Sequence, residues 1–210
     1  MTKPDDINVL WETDIHYVST EEGMMYLMSV KDCFSKKWIG YELSVSCNSR
    51  DAINAVENAY MKRFGNAKPK DLVLRTDNGP QYQSGEFRST LNVLSIKQEY
   101  IRKQTPEDNA DIESFHSSLK TDYIWVTELD TFEDAGKLIE YAYRDYNETR
   151  PHSSIMFLPP DEFERRWNSD DSFRKSYLEK RKKIGDRKLE RRKRRFKENV
   201  SSEDSISVQN

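Results

Sequence analysis

The 210-residue sequence predicts an α/β fold built on a mixed five-stranded sheet with helices on both faces. Three observations predict it. Three β-rich runs follow one another on short polar links near the N-terminus, which implies antiparallel pairing. Strand and helix periods then alternate, which implies parallel strands with helices packed over them. The chain is also long enough, at 35% hydrophobic residues, to bury one sizeable core.

The first run, Val9 to Val18, reads VLWETDIHYV and is rich in β-branched and aromatic residues. The turn-prone Glu21-Glu22-Gly23 separates it from a second run, Met24 to Val30, and the polar link Lys31 to Lys37 leads to a third, Trp38 to Val45. The period then changes. Ile53, Val56, Tyr60 and Phe64 fall at i, i+3, i+7 and i+11, predicting an amphipathic helix with Ser49 as N-cap and Gly65 as its stop. Leu72-Val73-Leu74 reads as a buried strand, Gly85 to Leu94 as a short helix, and Ile96 to Ile101 as a strand. Ile112, Phe115, Leu119 and Tyr123 mark another helix. A longer one starts at the capping pair Thr131 and Asp134 and carries Ala135, Leu138, Ile139, Ala142 and Tyr146 on one face. After Arg150-Pro151 the chain passes Pro159-Pro160 into a short helical stretch near Asp161 to Trp167. Trp11, Trp38, Phe64 and Tyr141 are expected in the core.

Residues 1–167 thus form one predicted core, and residues 168–210 a basic, largely helical or disordered extension whose end, Ser201 to Asn210, is expected to be disordered. Between Arg174 and Lys197 stand 14 basic and three acidic residues, a net +11 that leaves −14 for the rest of a chain whose formal charge is −3. Lys182, Lys183, Arg191, Arg192, Arg194 and Arg195 in that stretch are candidate phosphate contacts. Two cysteines and three scattered histidines exclude a disulfide framework and a zinc site of ordinary spacing. No apolar run approaches the ~18–20 residues of a membrane span, and the polar N-terminus is not a signal peptide. The expected location is cytoplasmic.

Asp14 lies within the first strand, Asp77 just past the fourth, and Glu113 in the first turn of the helix after the fifth. In open α/β sheets, ligands gather where strands end and helices begin. Asp14 joins that place if its strand is central. Taken alone, Asp77-Asn78-Gly79 could be only a turn, and Glu113 only an acid favoured by the helix dipole.

The flanking sequences carry a resemblance. TDIHYV at Thr13 to Val18, TDNGPQYQSGEF at Thr76 to Phe87, DNADIESFHSSLK at Asp108 to Lys120 and YNETRPHSSIMFLPPDEF at Tyr146 to Phe163 together resemble the DDE catalytic core of insertion-sequence transposases and retroviral integrases. The likeness spans about Trp11 to Phe163, and the 35 residues between Asp77 and Glu113 match that family's spacing. The resemblance implies a ribonuclease H-like fold, three antiparallel strands leading into two parallel ones. It implies Asp14, Asp77 and Glu113 as catalytic ligands of two Mg²⁺ or Mn²⁺ ions in a DDE polynucleotidyl transferase that cleaves and joins DNA strands, acting as a homo-oligomer on element ends and target DNA.

It also implies a DNA contact from Lys120, two turns after Glu113, and another from Arg150 in the Arg-Pro-His stretch. Asn78 and Gly79 are expected supports, Gly79 by letting the backbone turn away from DNA, and Asn109 is expected to cap the Glu113 helix. His116 is expected to be solvated. His16 stands where the family more often has a small hydroxyl residue. Such transposases usually carry a helix-turn-helix segment ahead of the core, so a separate DNA-reading protein from an upstream frame is an expected partner. The alternatives are a truncated or inactive remnant that only binds nucleic acid and a nuclease acting on RNA·DNA hybrids.

Overall fold

The computed structural model describes residues 1–102 and 110–206, the latter without the side chains of 110, 188, 189, 192 and 195–206. Strands β1 (Leu10–Thr20), β2 (Gly23–Asp32), β3 (Trp38–Ser44), β4 (Val73–Thr76) and β5 (Lys97–Tyr100) form one sheet in the order β3-β2-β1-β4-β5. The first three pair antiparallel, and β4 joins β1 and β5 in parallel. Asp14 therefore does lie on the central strand.

The strands' period of two sorts their side chains onto two cores. Trp11, Met28, Val30, Ile39 and Leu74 face one cluster with α1 (Ser49–Phe64) and α3 (Gly85–Val93). Val18, Leu27 and Trp38 face the other with α4 (Ala110–Leu119) and α5 (Phe132–Glu148). Trp11 and Trp38 are fully buried and Phe64 packs against the first cluster, whereas Tyr141 is 60% exposed and is not a core residue. The helical stripe predicted for α5 is Ala135, Leu138, Ile139, Ala142 and Tyr146, and Tyr141 falls outside it.

The N-cap of α1 is Asn48, not Ser49. The Asn48 side chain accepts from the N–H groups of Arg50 at 2.8 Å and Asp51 at 3.2 Å, and the Asp51 carboxylate accepts from the Asn48 N–H at 3.0 Å. This reciprocal box uses the carboxylate three residues on, which Ser49 could not have recruited. α5 has the same arrangement at Thr131 and Asp134, as its sequence predicts. A one-turn helix, α2 (Pro80–Gln83), follows the Asp77 turn with Pro80 at its first position.

β3 meets α1 at Gly40. A Cβ there would stand 2.7 Å from the Ala59 nitrogen and 2.9 Å from its Cα, both backbone atoms of a packed helix. Gly40→Ala is expected to cost about 1–3 kcal/mol by overpacking, read as a lower urea midpoint at constant slope. An unchanged midpoint would refute this contact as a packing constraint.

By contacts the chain divides into Met1–Glu164 and Arg165–Asn210, the division falling inside α6 (Pro160–Ser169). In the second unit α7 (Asp171–Ile206) starts where Asp170 accepts from the Ser172 hydroxyl at 2.6 Å and the Phe173 N–H at 3.0 Å. The helix runs on through Ser201 to Ile206, where disorder was expected, because adding a residue to an existing helix costs far less than nucleating one. No described helix is long and apolar enough to cross a membrane.

Candidate active site

The register of the sheet builds the site from a row of charges. Lys31 on β2 lies opposite Glu12 on β1, Glu12 opposite Arg75 on β4, and Arg75 opposite Glu99 on β5. The signs alternate across four strands. Arg75 donates to Glu12 Oε1 at 2.8 Å and through Nε and an Nη to Glu99 Oε1 at 2.9 and 2.8 Å, and the Glu12 and Arg75 side chains are almost entirely buried. Another Arg75 bond reaches the Thr2 carbonyl, while Thr2 donates its own N–H to Glu99 at 2.8 Å.

Two residues further along the strands, on the same face, come Asp14 and Asp77. The parallel register that sets Glu12 beside Arg75 thus sets these carboxylates beside each other, where β4 has ended and the sheet opens. Burial pushes the Asp77 carboxyl above its ordinary range and the neighbouring Asp14 charge pushes the same way, while the Gly79 N–H, donating to Asp77 Oδ1 at 2.7 Å, holds it back. Two carboxylates whose charges oppose each other in a half-buried place are the donor set that a hard divalent cation relieves.

The turn after Asp77 is braced at both ends. Asn78 donates to the Ile101 carbonyl at 3.2 Å, and its own carbonyl accepts from the Gln83 side chain at 2.6 Å. Tyr82, fully buried, anchors the following helix, with its hydroxyl 3.4 Å from Thr13 Oγ1. Gly79 has φ −62° and ψ 149°, a conformation open to any residue, so a left-handed turn is not the reason for glycine. Space is the reason. A Cβ would lie 2.9 Å from Asp77 Oδ1 and 2.7 Å from Gln81 Nε2. Gln81 can swing away; the carboxylate can yield only by leaving its place. Gly79→Ala is expected to displace the Asp77 carboxylate and to lower any activity that depends on its placement by about 10–100-fold, with little change in thermal stability. Full activity in this variant would show that Asp77 needs no such placement.

Glu113 stands exposed in the first turn of α4. One turn later on that helix comes His116, which is buried, with Nδ1 3.4 Å from Asp14 Oδ2. The expectation of a solvated His116 is overturned, because α4 crosses the face of β1 that carries Asp14 and its third position after Glu113 meets that face. His116 also lies with its ring 5.2 Å from the His16 ring. Burial, His116 and Lys120 together push His16 down to about 4. A neutral imidazole therefore fills the place beside Asp14. Glu113, His16, His116 and Lys120 line one cleft, so α4 brings Glu113 to the side of β1 on which Asp14 stands.

Among the described residues, the one set of three acidic, cysteine or histidine groups with ligand atoms within 4.8 Å of one another is Glu12, Cys33 and Asp111. Three cations already serve it: Lys31 stands 3.4 Å from Asp111 Oδ1, Lys36 pairs with Asp111 Oδ2, and Arg75 holds Glu12. Burial also pushes the Cys33 thiol well above its ordinary range. This cluster is an ion-pair network. The ligand atoms of Asp14, Asp77 and Glu113 do not all lie within 4.8 Å of one another.

Of the remaining predicted residues, Arg150 is engaged within the chain. Its Nε donates to Asp122 at 2.9 Å and an Nη to the Ser118 hydroxyl at 3.0 Å, tying the end of α5 to α4. Lys182, Lys183, Arg191 and Arg194 are exposed on α7. Asn109 and the side chains of Arg192 and Arg195 lie outside the described residues. Sequence reasoning missed Trp125, which lines the same cleft as Glu113 and is 72% exposed. A tryptophan without helical or strand periodicity around it was the only signal for it.

Comparison with known proteins adds an independent line. Two profiles, both of the integrase core domain, match residues 4–106 and 94–160. The transposase for insertion sequence element IS904 of Lactococcus lactis subsp. lactis (strain IL1403) is 33% identical over 160 residues, 75% of this chain and 62% of that protein. Transposase InsF for insertion sequence IS3A of Escherichia coli (strain K12) is 32% identical over 158 residues, 75% of this chain and 54% of that one. The chain thus spans between about half and two thirds of the length of these relatives. The HTLV-2 integrase catalytic core domain in complex with magnesium, in its dimeric form, superposes with a TM-score of 0.60 at 19% identity, over 77% of this chain and 99% of that one. A chain of the simian T-cell lymphotropic virus intasome in complex with PP2A regulatory subunit B56 gamma gives 0.62 at 21% identity, over 74% and 54%. These two likenesses show the shared ribonuclease H-like fold.

Proposed function

Because the chain belongs to the integrase core domain family, we propose that it is the catalytic part of a transposase, cutting DNA strands and joining them to a target by metal-dependent phosphoryl transfer. The observation that carries this reading is the register placing Asp14 beside Asp77 at the open end of the central strands, with α4 bringing Glu113 to the same face. Asp14, Asp77 and Glu113 would hold two Mg²⁺ or Mn²⁺ ions, whose chemistry is to stabilise the attacking and leaving oxygens of an in-line displacement at phosphorus. Water is the nucleophile in cutting and a DNA 3′-hydroxyl in joining. In each case an oxygen–phosphorus bond forms as the bond to the leaving strand's 3′-oxygen or to the target's 3′-oxygen breaks, so no covalent enzyme intermediate is needed.

The protein's own groups have distinct tasks. His116 positions Asp14, and His16, uncharged above about pH 4, leaves that carboxylate's charge uncancelled. Lys120 offers an ammonium to a strand phosphate. Asn78 and Gly79 keep Asp77 in place. The exposed cations of α7, Lys182, Lys183, Arg191 and Arg194 among them, add salt-sensitive affinity from a basic extension over residues 168–210 that follows a catalytic core over residues 1–167. The chain would work as a homo-oligomer on DNA, a reading supported by the intasome and by the dimeric and trimeric forms in the names of the similar structures. Recognition of element ends falls to a DNA-reading segment or protein outside the 210 residues. The test is nicking and joining of labelled DNA in Mg²⁺ or Mn²⁺, beside the same reactions with excess EDTA and with Glu113→Gln. Activity that survives chelation and the substitution overturns the proposal.

A further inference from the structure

Strand register sets Asp14 and Asp77, whereas Glu113 comes from a helix, and its place depends on how α4 is fixed to the sheet. Apolar packing supplies part of this. Ile112, Phe115 and Leu119 are buried on one stripe of α4, but apolar contact has no direction and leaves a helix some freedom to slide and turn. Directed bonds remove that freedom, and two lysines supply them at the first turn. Lys31 on β2 is 2% exposed, and its ammonium donates to the Asp111 backbone carbonyl at 2.9 Å while standing 3.4 Å from Asp111 Oδ1. The same ammonium lies 5.8 Å from the centroid of the Phe115 ring. Lys36, in the link between β2 and β3, pairs with Asp111 Oδ2 and donates to the Cys33 carbonyl at 2.7 Å. Backbone and side chain of one residue, two positions before Glu113, are thus both held from the sheet.

Where these donors go shows what they do. A buried ion pair adds little stability, since well-packed apolar side chains in its place are often neutral or stabilising. Lys31 faces Glu12 across the β1–β2 ladder, yet it bonds α4, and Glu12 Oε2 stays buried without a hydrogen-bond partner among the described residues. A lysine that served only to neutralise the row would bond the carboxylate it faces. We propose that Lys31 and Lys36, acting through Asp111, are positioning residues that fix the start of α4 and so the place of Glu113 relative to Asp14 and Asp77. The inference rests on the reading of Glu113 as a catalytic carboxylate, and it adds residues that act on the site only through that one. Two consequences separate this from a structural role. Loss of the clamp should weaken binding of a divalent cation, because a ligand that is no longer preorganised must be ordered by the ion. It should weaken nothing further once Glu113 is no longer a ligand.

The experiment uses the whole chain and Mn²⁺ without DNA, with free Mn²⁺ read by paramagnetic resonance and bound Mn²⁺ by the rise in melting temperature. The variant combines Lys31→Met with Asp111→Asn, which removes both charges of the pair so that neither is left buried alone. Its melting temperature without metal is expected within about 4 °C of wild type. Its Mn²⁺ affinity should be about tenfold weaker, within the range for disturbing groups that orient metal ligands. In a Glu113→Gln background the same two substitutions should leave Mn²⁺ affinity unchanged. Wild-type affinity in the double variant overturns the proposal, and so does an equal loss in the Glu113→Gln background, since the clamp then acts elsewhere. If the double variant fails to fold, Lys36→Met, which removes the ammonium nearer to solvent, carries the test. An affinity weaker by about threefold supports the clamp, and an unchanged one overturns it. Glu113→Gln by itself distinguishes the two readings. If that variant still cleaves DNA, the catalytic assignment fails and the clamp's role with it; if it is inactive while the clamp variants bind Mn²⁺ as wild type does, the clamp alone fails.

Discussion

Glu113→Gln is expected to lower DNA cleavage and joining by at least about 10²–10³-fold, the range for removing one preorganised electrostatic stabiliser from a site. The substitution keeps the shape of the side chain and removes its charge. Glu113 is exposed in the first turn of α4, so the loss of an acid from that helix start costs only a few tenths to about 1 kcal/mol of stability. Activity and folding are therefore separable here, and circular dichroism and thermal unfolding of the variant should match wild type. Excess EDTA should abolish wild-type activity to the same floor, and Mg²⁺ or Mn²⁺ should restore it in wild type and not in Glu113→Gln. The corresponding loss is expected for Asp14→Asn and Asp77→Asn, with less clean folding, because both sit over the buried charge row. Activity of Glu113→Gln within a few-fold of wild type would remove Glu113 from the chemistry.

Arg75→Met should be the most destabilising single change in the sheet. It leaves the buried Glu12 carboxylate without its main partner and frees Glu99, a loss of about 3–5 kcal/mol for a broken buried pair. At about 2–4 °C per kcal/mol for a domain of this size, the melting temperature should fall by roughly 6–20 °C. The dependence on pH gives a second reading. Burial already pushes the Glu12 carboxyl up and the Asp111 charge adds to this, against the pull of Lys31 and Arg75. A carboxyl whose folded pKa lies above its unfolded one contributes stability below the unfolded pKa and loses it as pH rises through the folded one. Removing Arg75 raises the folded value further, so the variant's deficit should be larger at pH 8 than near pH 5. Glu12→Gln in the same chain should recover much of the loss, since a neutral amide costs less to bury than an unpaired carboxylate. An Arg75→Met protein as stable as wild type would show that the row of alternating charges contributes nothing to the fold.

What could be read from the 210 residues was what local spacing encodes. The alternation in VLWETDIHYV, the i, i+3, i+7 pattern of Ile53, Val56 and Tyr60, and the Thr131–Asp134 cap each lie within a dozen residues. They suffice for the kinds and order of the elements and for Asp14 within the first strand, but not for the central place of that strand, which the sheet order decided. Likewise the turn at Asp77 and the helix start at Glu113 are local signals whose flanking motifs point to phosphoryl transfer. The tertiary structure alone decided what depends on register between strands distant in sequence. Lys31, Glu12, Arg75 and Glu99 span 88 positions of chain, and only the parallel pairing of β4 with β1 and β5 turns them into one row of alternating charge. That same register makes Asp14 and Asp77 neighbours. The packing angle of α4 on β1 decided that His116 is buried against Asp14, and the π-helical turn after it decided that Trp125 faces solvent. Periodicity is a property of neighbouring residues along one chain segment, whereas burial and pairing are set by which segments meet.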